Sequence, residues 1–215
     1  MASKIISGIA SIEVNTSDPF QLFYLWKEEA FRCLSKPNTL NVMNLATSSK
    51  DGCVSNRNIQ ILRYDPDGFV FLTDSSSRKA KDIADNPNVA STFLWCYSND
   101  GGEIITKQIR LQGVINKLDL DQTKELYDAA PTFRKIRYNV CKQGLIVDQK
   151  EIKKIHDKIL EDVENGRILE MPSYVAAYKL LPSAMEFYYG YDNFTADRVL
   201  FTYRGNNWNY VHLSA

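Results

Sequence analysis

Arg57 and the run Ser75-Ser76-Ser77-Arg78-Lys79 are the residues of this chain whose types and spacing suit the capture of a small dianion. Hydroxyls, backbone N–H groups at a helix start and adjacent cations are together what a phosphate group requires. The same residues would serve equally as a solvated loop with ordinary surface charges. The segments around them set their positions. Residues 55–63 and 69–74 are alternating apolar runs flanking Asp65-Pro66-Asp67-Gly68, a turn sequence with a hairpin mechanism. Arg57 on the first strand can then point a third cation at the loop that follows the second.

The rest of the chain must fold around that hairpin. Residues 1–17 read as a loose lead-in and 18–215 as a single domain. Pro19 opens a helix to about Cys33, with Phe20, Phe23, Leu25, Trp26 and Ala30 as its apolar stripe. Pro37-Asn38 breaks it. Strands are expected over 40–47, 54–63 and 69–73, and a helix from near Ser77 to the stop at Asn86-Pro87. Two further strands, 89–95 and 104–116, are joined by the polar turn Asn99-Asp100-Gly101-Gly102. Residues 119–130 are helical up to Pro131, and 149–165 form a second long, charged helix ending at Gly166. Strands over 176–188, with Pro182 as a break, 198–203 and 208–213 close the chain. The expected fold class is mainly β with α, a six- or seven-stranded antiparallel barrel surrounded by helices.

Composition narrows the functional classes. The 215 residues carry 26 cations and 26 anions, so no charge excess points to nucleic acid or an anionic membrane surface. No apolar run has the length of a transmembrane helix. Cys33, Cys53, Cys96 and Cys141 are scattered without a Cys-x-x-Cys pair, and with only His156 and His212 beside them no metal site is expected. Free thiols fit a reducing, cytoplasmic compartment. The 12 Tyr and 10 Phe suit a β-rich core.

The chain resembles the pyridoxine/pyridoxamine 5′-phosphate oxidases, FMN flavoproteins of the split β-barrel class. The resemblance lies in Asp18-Pro19-Phe20, Asn44-Leu45-Ala46-Thr47 with Asp51-Gly52, the Arg57 hairpin with Ser77-Arg78-Lys79, Asn86-Pro87, Trp95, Glu186-Phe187-Tyr188-Tyr189-Gly190 and Asp197-Arg198. It implies an FMN phosphate held by Arg57, Ser77, Arg78 and Lys79. Thr73, Ile59 and Leu72 would border the flavin ring. Gln108, Gln143 and Arg198 would contact the flavin, with Gln143 reaching from the other subunit of a homodimer. Tyr188 stands where the family has tryptophan, and Gly144 where it has serine.

The substrate positions depart from that pattern. Leu62 replaces the lysine that holds the substrate phosphate, and Arg63, one place on, should face the other side of the strand. Leu126, Ala130 and Arg134 stand for the family's Tyr, Arg and Ser. Phe194-Thr195-Ala196 replaces Arg-Leu-His, the triplet that contacts the pyridine. The resemblance therefore implies an FMN-dependent oxidoreductase with an altered small-molecule substrate and no assignable catalytic side chain. Two alternatives stay open: an authentic pyridoxamine/pyridoxine 5′-phosphate oxidase, and a non-catalytic flavin- or ligand-binding protein.

Overall fold

The computed structural model describes residues 7–34 and 37–215, so the first residues of the expected lead-in lie outside the described residues. Helix α1 (Pro19–Cys33) starts where Asp18 caps it, its carboxylate accepting from the Phe20 N–H at 2.9 Å, with Pro19 in the first turn. A short 3-10 turn (Pro37–Asn41) leads into β1 (Val42–Ser48), which is paired with β2 (Val54–Gln60). Strands β3 (Arg63–Asp65) and β4 (Gly68–Asp74) form the hairpin around Pro66-Asp67. Gly68 is required by a close approach, because a Cβ there would lie 2.3 Å from the Leu180 carbonyl oxygen. Then come α2 (Arg78–Asp85), β5 (Asn88–Ser98), β6 (Ile104–Lys117), α3 (Leu120–Asp128), α4 (Thr132–Val140), α5 (Gln149–Glu164), β7 (Val175–Tyr191), β8 (Asp197–Arg204) and β9 (Asn207–Leu213).

The strands lie in the order β2-β1-β5-β6-β7-β4-β3, every pair antiparallel, with β8 on β7 and β9 on β8. The chain runs from β2 through Ile61 and Leu62 into β3, so the path ends on the strand that began it and a barrel closes. Ile61 donates to the Asn41 carbonyl at 2.7 Å and Leu62 to that of Val70 at 2.8 Å, which continues the ladder on both sides of the interruption. Strand β7 carries the split. Its first half pairs with β4 and its second half with β8. Pro182, expected to break this strand, sits instead at a register shift opposite Gln112 and Gly113, where a missing N–H costs no ladder bond. The architecture is an antiparallel split β-barrel with helices around it.

The barrel interior is aromatic. Phe23 of α1 is fully buried and meets Phe69, Phe93 and Trp95 with ring centroids 5.1–5.6 Å apart. Each such side chain contributes about 1.5–3 kcal/mol of burial. Strand β4 is buried on both faces: Phe69 and Phe71 point inward, while Val70 and Leu72 pack under Leu126 and Tyr127 of α3. The lead-in is not loose where it is described. Ala10 and Ile12 are buried, Ile9 bridges to Thr195, and the Ile12 N–H donates to the Asp197 carboxylate at 2.7 Å. Among the described residues no helix is long and apolar enough to cross a membrane, and no cluster of His, Cys, Asp and Glu could hold a metal ion.

Candidate functional site

The loop after β4 and the first turn of α2 open onto a cavity of about 500 Å³, within the range of small-molecule sites. Arg57 and Ile59 reach it from β2, Leu62 from the β2–β3 junction, Leu72 and Thr73 from β4, and Ser77, Arg78 and Lys79 from the start of α2. Arg134 and Arg137 reach it from α4, and Gln143 from the segment beyond. Five of the lining residues (Arg57, Arg78, Lys79, Arg134, Arg137) are cations, and none of the described lining residues is a carboxylate.

Lys79 is 8% exposed. Its ammonium donates to the Gln143 Oε1 at 2.5 Å, the Thr73 hydroxyl at 3.0 Å and the Ser77 hydroxyl at 3.3 Å. Burial first, and then the neighbouring Arg57 charge, push the Lys79 amine below the ordinary lysine value, with Asp74 partly offsetting them. A cation destabilised in this way favours an incoming anion. Ser77 occupies the cap of α2 but turns its hydroxyl to the Asp74 carbonyl, 2.6 Å away, and makes no side-chain cap bond. The Arg78 and Lys79 N–H groups are therefore left for another acceptor, while that of Ala80 already donates to the Ser77 carbonyl at 3.1 Å. Arg57 is fixed from behind by the Thr47 hydroxyl at 2.8 Å and the Leu45 carbonyl at 3.2 Å, and Thr47 in turn donates to buried Asp82 at 2.6 Å. Asp82 also stands 3.9 Å from both Arg57 and Arg78. A phosphate monoester fits this donor set.

Asp74, which the sequence shows only as a strand end, ties the cavity wall together. Its carboxylate accepts from the Ser76 N–H at 2.7 Å, the Ser76 hydroxyl at 2.6 Å and the Gln143 N–H at 3.0 Å. Burial acts to raise this carboxyl, but those hydrogen bonds and the Lys79 charge hold it below the usual range. Its stabilisation is thus present above the ordinary carboxyl value near ~3.9 and is lost as the pH falls through the lower folded value. Amide exchange at Gln143, corrected for intrinsic rates, should show the segment released by acid, and released already at neutral pH in Asp74→Ala. Equal protection in that variant would show that Asp74 does not hold the loop.

The other expected site residues are distributed differently. Gln143, expected to reach across from a second subunit, lies in the cavity of its own chain because the Asp74 bond draws it there. Gly144 lines the cavity with φ +85°, a left-handed conformation that disfavours serine at this position. Gln108, Tyr188 and Arg198 are outside the cavity. Strand register sets them in one cross-strand row over β6, β7 and β8, Gln108 opposite Tyr188 and Tyr188 opposite Arg198. Arg198 lies over the Tyr188 ring at 5.5 Å and pairs with Glu186 at 3.3 Å, while its buried Nε has no partner.

Phe194 and Ala196 do not join Leu62 and Arg134 in the cavity of one chain. Phe194 packs on Tyr191, centroids 4.9 Å apart, and closely against Gly8. The N-terminal segment pairs with that loop, Ala10 donating to the Thr195 carbonyl at 2.8 Å and Thr195 to that of Gly8 at 2.8 Å. Arg63 bonds to Asp65 at 2.7 Å instead of replacing the missing cation, as strand alternation requires. Sequence reasoning missed Arg137 and Tyr138, because Pro131 was read as the end of a helix when it also caps the start of α4. Proline at a helix start was the available signal.

Residues 28–156 match the sequence profile of a family described as pyridoxamine 5′-phosphate oxidase. A pyridoxine/pyridoxamine 5′-phosphate oxidase of Bombyx mori is 33% identical over 189 residues, 86% of this chain and 70% of that protein. One from Leptospira biflexa is 29% identical over 216 residues, covering 100% of this chain and 97% of its own length. Among solved structures, PhzG from Burkholderia lata, in complex with tetrahydrophenazine-1-carboxylic acid, superposes with a TM-score of 0.81 at 22% identity, over 97% of this chain and all of that one. An FMN-binding protein of Nostoc punctiforme related to pyridoxamine 5′-phosphate oxidase gives 0.68 at 16% identity, over 92% and 97% of the two chains. These two likenesses are likenesses of fold.

Proposed function

The chain belongs to the pyridoxamine 5′-phosphate oxidase family as a divergent member, and from that premise we propose that it is an FMN-binding oxidoreductase acting on a small molecule other than pyridoxamine 5′-phosphate. The observation that carries this reading is the convergence of Arg57, Ser77, Arg78 and buried Lys79 on the uncapped start of α2. In that reading Lys79 and Arg57 hold the terminal phosphate with charge-assisted bonds, Ser77, its proton engaged by the Asp74 carbonyl, orients the Lys79 ammonium by accepting from it, and the Arg78 and Lys79 N–H groups of α2 complete the cradle. Ile59 and Leu72 offer apolar edges for a flat ring, and the Gln143 amide can orient it. The bound flavin would supply the two-electron redox chemistry. The protein's part is to bind, orient and exclude water. A carrier reading is favoured by one observation, the lack of His, Cys, Asp or Glu among the described lining residues; reduction of the bound flavin by a substrate would exclude it.

The proposal includes a homodimer. The Gln108–Tyr188–Arg198 row does not line the cavity of its own chain, yet Asn58 borders both that cavity and the sheet face that holds Gln108. Val42 and Leu94 are exposed on this face, and the orphaned Arg198 Nε lacks a partner within the chain. A second copy laid on the face would cover them and bring the row to the neighbouring cavity. The purified protein is expected to be yellow, to release FMN and not FAD, and to sediment with its flavin at twice the 24.6 kDa chain mass. A flavin-loaded monomer would refute the dimer; failure to take up FMN would refute the cofactor.

A further inference from the structure

Resting on the phosphate reading of the α2 cluster and deepening it, we infer that Asp82, acting through the Thr47 hydroxyl, is the positioning residue that assembles Arg57 and Arg78 for the phosphate before it arrives. The need for such a residue is electrostatic. Arg57, Arg78 and Lys79 converge on the start of α2, and like charges so placed repel. Burial lowers the Arg57 guanidinium, Asp82 offsets this, and Arg78 lowers it further. Burial and then Arg57 act on Lys79 in the same way. Asp82 answers these charges from behind the wall, since it is 5% exposed and is no part of the cavity lining.

One oxygen collects the cluster. Asp82 Oδ2 lies 2.6 Å from the Thr47 Oγ1, 3.9 Å from the Arg57 Nη2 and 3.9 Å from the Arg78 Nε. An ionised carboxylate only accepts, so the single Thr47 proton points at Asp82, and the hydroxyl oxygen is left to accept from the Arg57 Nη1 at 2.8 Å. The Leu45 carbonyl accepts from the same Nη1 at 3.2 Å. Thr47 is 1% exposed, so bulk water does not compete for these bonds. The Nη1 edge of the fork is thereby spent on the barrel wall, and the Nε and Nη2 edge remains to meet an anion in the cavity. At 3.9 Å Asp82 is beyond hydrogen-bond reach of both guanidiniums, so it offsets their charge without taking the N–H groups that a phosphate needs. Without this relay the Thr47 hydroxyl can turn, Arg57 loses its fixed plane, and the ligand must bear the ordering of the fork.

Calorimetric titration of flavin-free protein with FMN and with riboflavin, which lacks the phosphate, tests this. Asp82→Ala, and Thr47→Val, which keeps the shape but not the hydroxyl, should each weaken FMN about tenfold and leave riboflavin within about twofold. Thr47→Ser, which keeps the hydroxyl, should stay within about threefold of the unaltered protein for both ligands. Equal loss of FMN and riboflavin from folded Asp82→Ala and Thr47→Val would mark a merely structural role and overturn the inference, as would unchanged FMN affinity in both. Asp82→Asn disturbs the buried site least and decides alone if the other two do not fold. It should weaken FMN at least about threefold, whereas unchanged or tighter binding would show that the carboxylate does not prepare the site. If the unaltered protein binds FMN no tighter than riboflavin, the cofactor reading fails by itself, and phenyl phosphate replaces FMN as the probe. A loss of about tenfold in Asp82→Ala then sustains the relay, and unchanged or absent phenyl phosphate binding overturns it.

Discussion

Replacing Lys79 and Arg78 together with alanine is expected to weaken FMN binding by more than tenfold while leaving the barrel folded. Most of the loss should come from Lys79. Its ammonium is buried and lies among the Thr73, Ser77 and Gln143 side chains, where a charge-assisted bond contributes about 1.5–3 kcal/mol. Arg78 is exposed and screened, so its share should be smaller and should fall with added salt. Lys79→Ala alone should therefore account for most of the double variant's effect. Equilibrium dialysis against FMN at low and high ionic strength measures both. Undiminished flavin retention in the double variant would mean that the α2 cluster is not the phosphate site.

The second expectation concerns pyridoxamine 5′-phosphate itself, which should be oxidised very slowly or not at all. Leu62 lines the cavity where the resemblance calls for a lysine, while Ala130 is buried and not part of the lining. Phe194 and Ala196, in place of arginine and histidine, can neither hydrogen-bond a pyridine nor move a proton. The loss of two charge-assisted contacts alone costs roughly 3–6 kcal/mol, on the order of a hundredfold to ten-thousandfold in kcat/KM. Leu62→Lys is the first step back, because it places a cation in the cavity, with Ala130→Arg, Phe194→Arg and Ala196→His added to it. Oxygen-dependent formation of pyridoxal phosphate is the measurement. A turnover on the order of 1 per second by the unaltered protein would identify an authentic oxidase.

The features legible in the sequence were those set by neighbours along the chain. The Asp65–Gly68 turn, the helix start at Pro19, the stripe of Phe20, Phe23, Trp26 and Ala30 and the cations around Ser77 all follow from local backbone preference and from side-chain period, and the structure places them as expected. Leu25 of the expected stripe, by contrast, is 58% exposed, and Leu22 is buried in its stead. Boundaries were less legible. Pro182 was absorbed into a continuous β7 because a register shift on β6 accommodates it, and the strand over 54–63 divides at Ile61-Leu62 where the barrel closes.

Only the tertiary structure decided which site residues meet. Composition does not show that Gln143 bonds to Lys79, sixty-four positions away, or that Asp74 draws it there. A helix that begins at Pro131 brings Arg137 into the cavity, whereas strand register lines up Gln108, Tyr188 and Arg198 on a different face. Turn chemistry and amphipathic period act over a few residues, so residue types reveal them. The partner of a given side chain depends on sheet register and on hydrogen bonds between distant segments, which exist only after the barrel has closed.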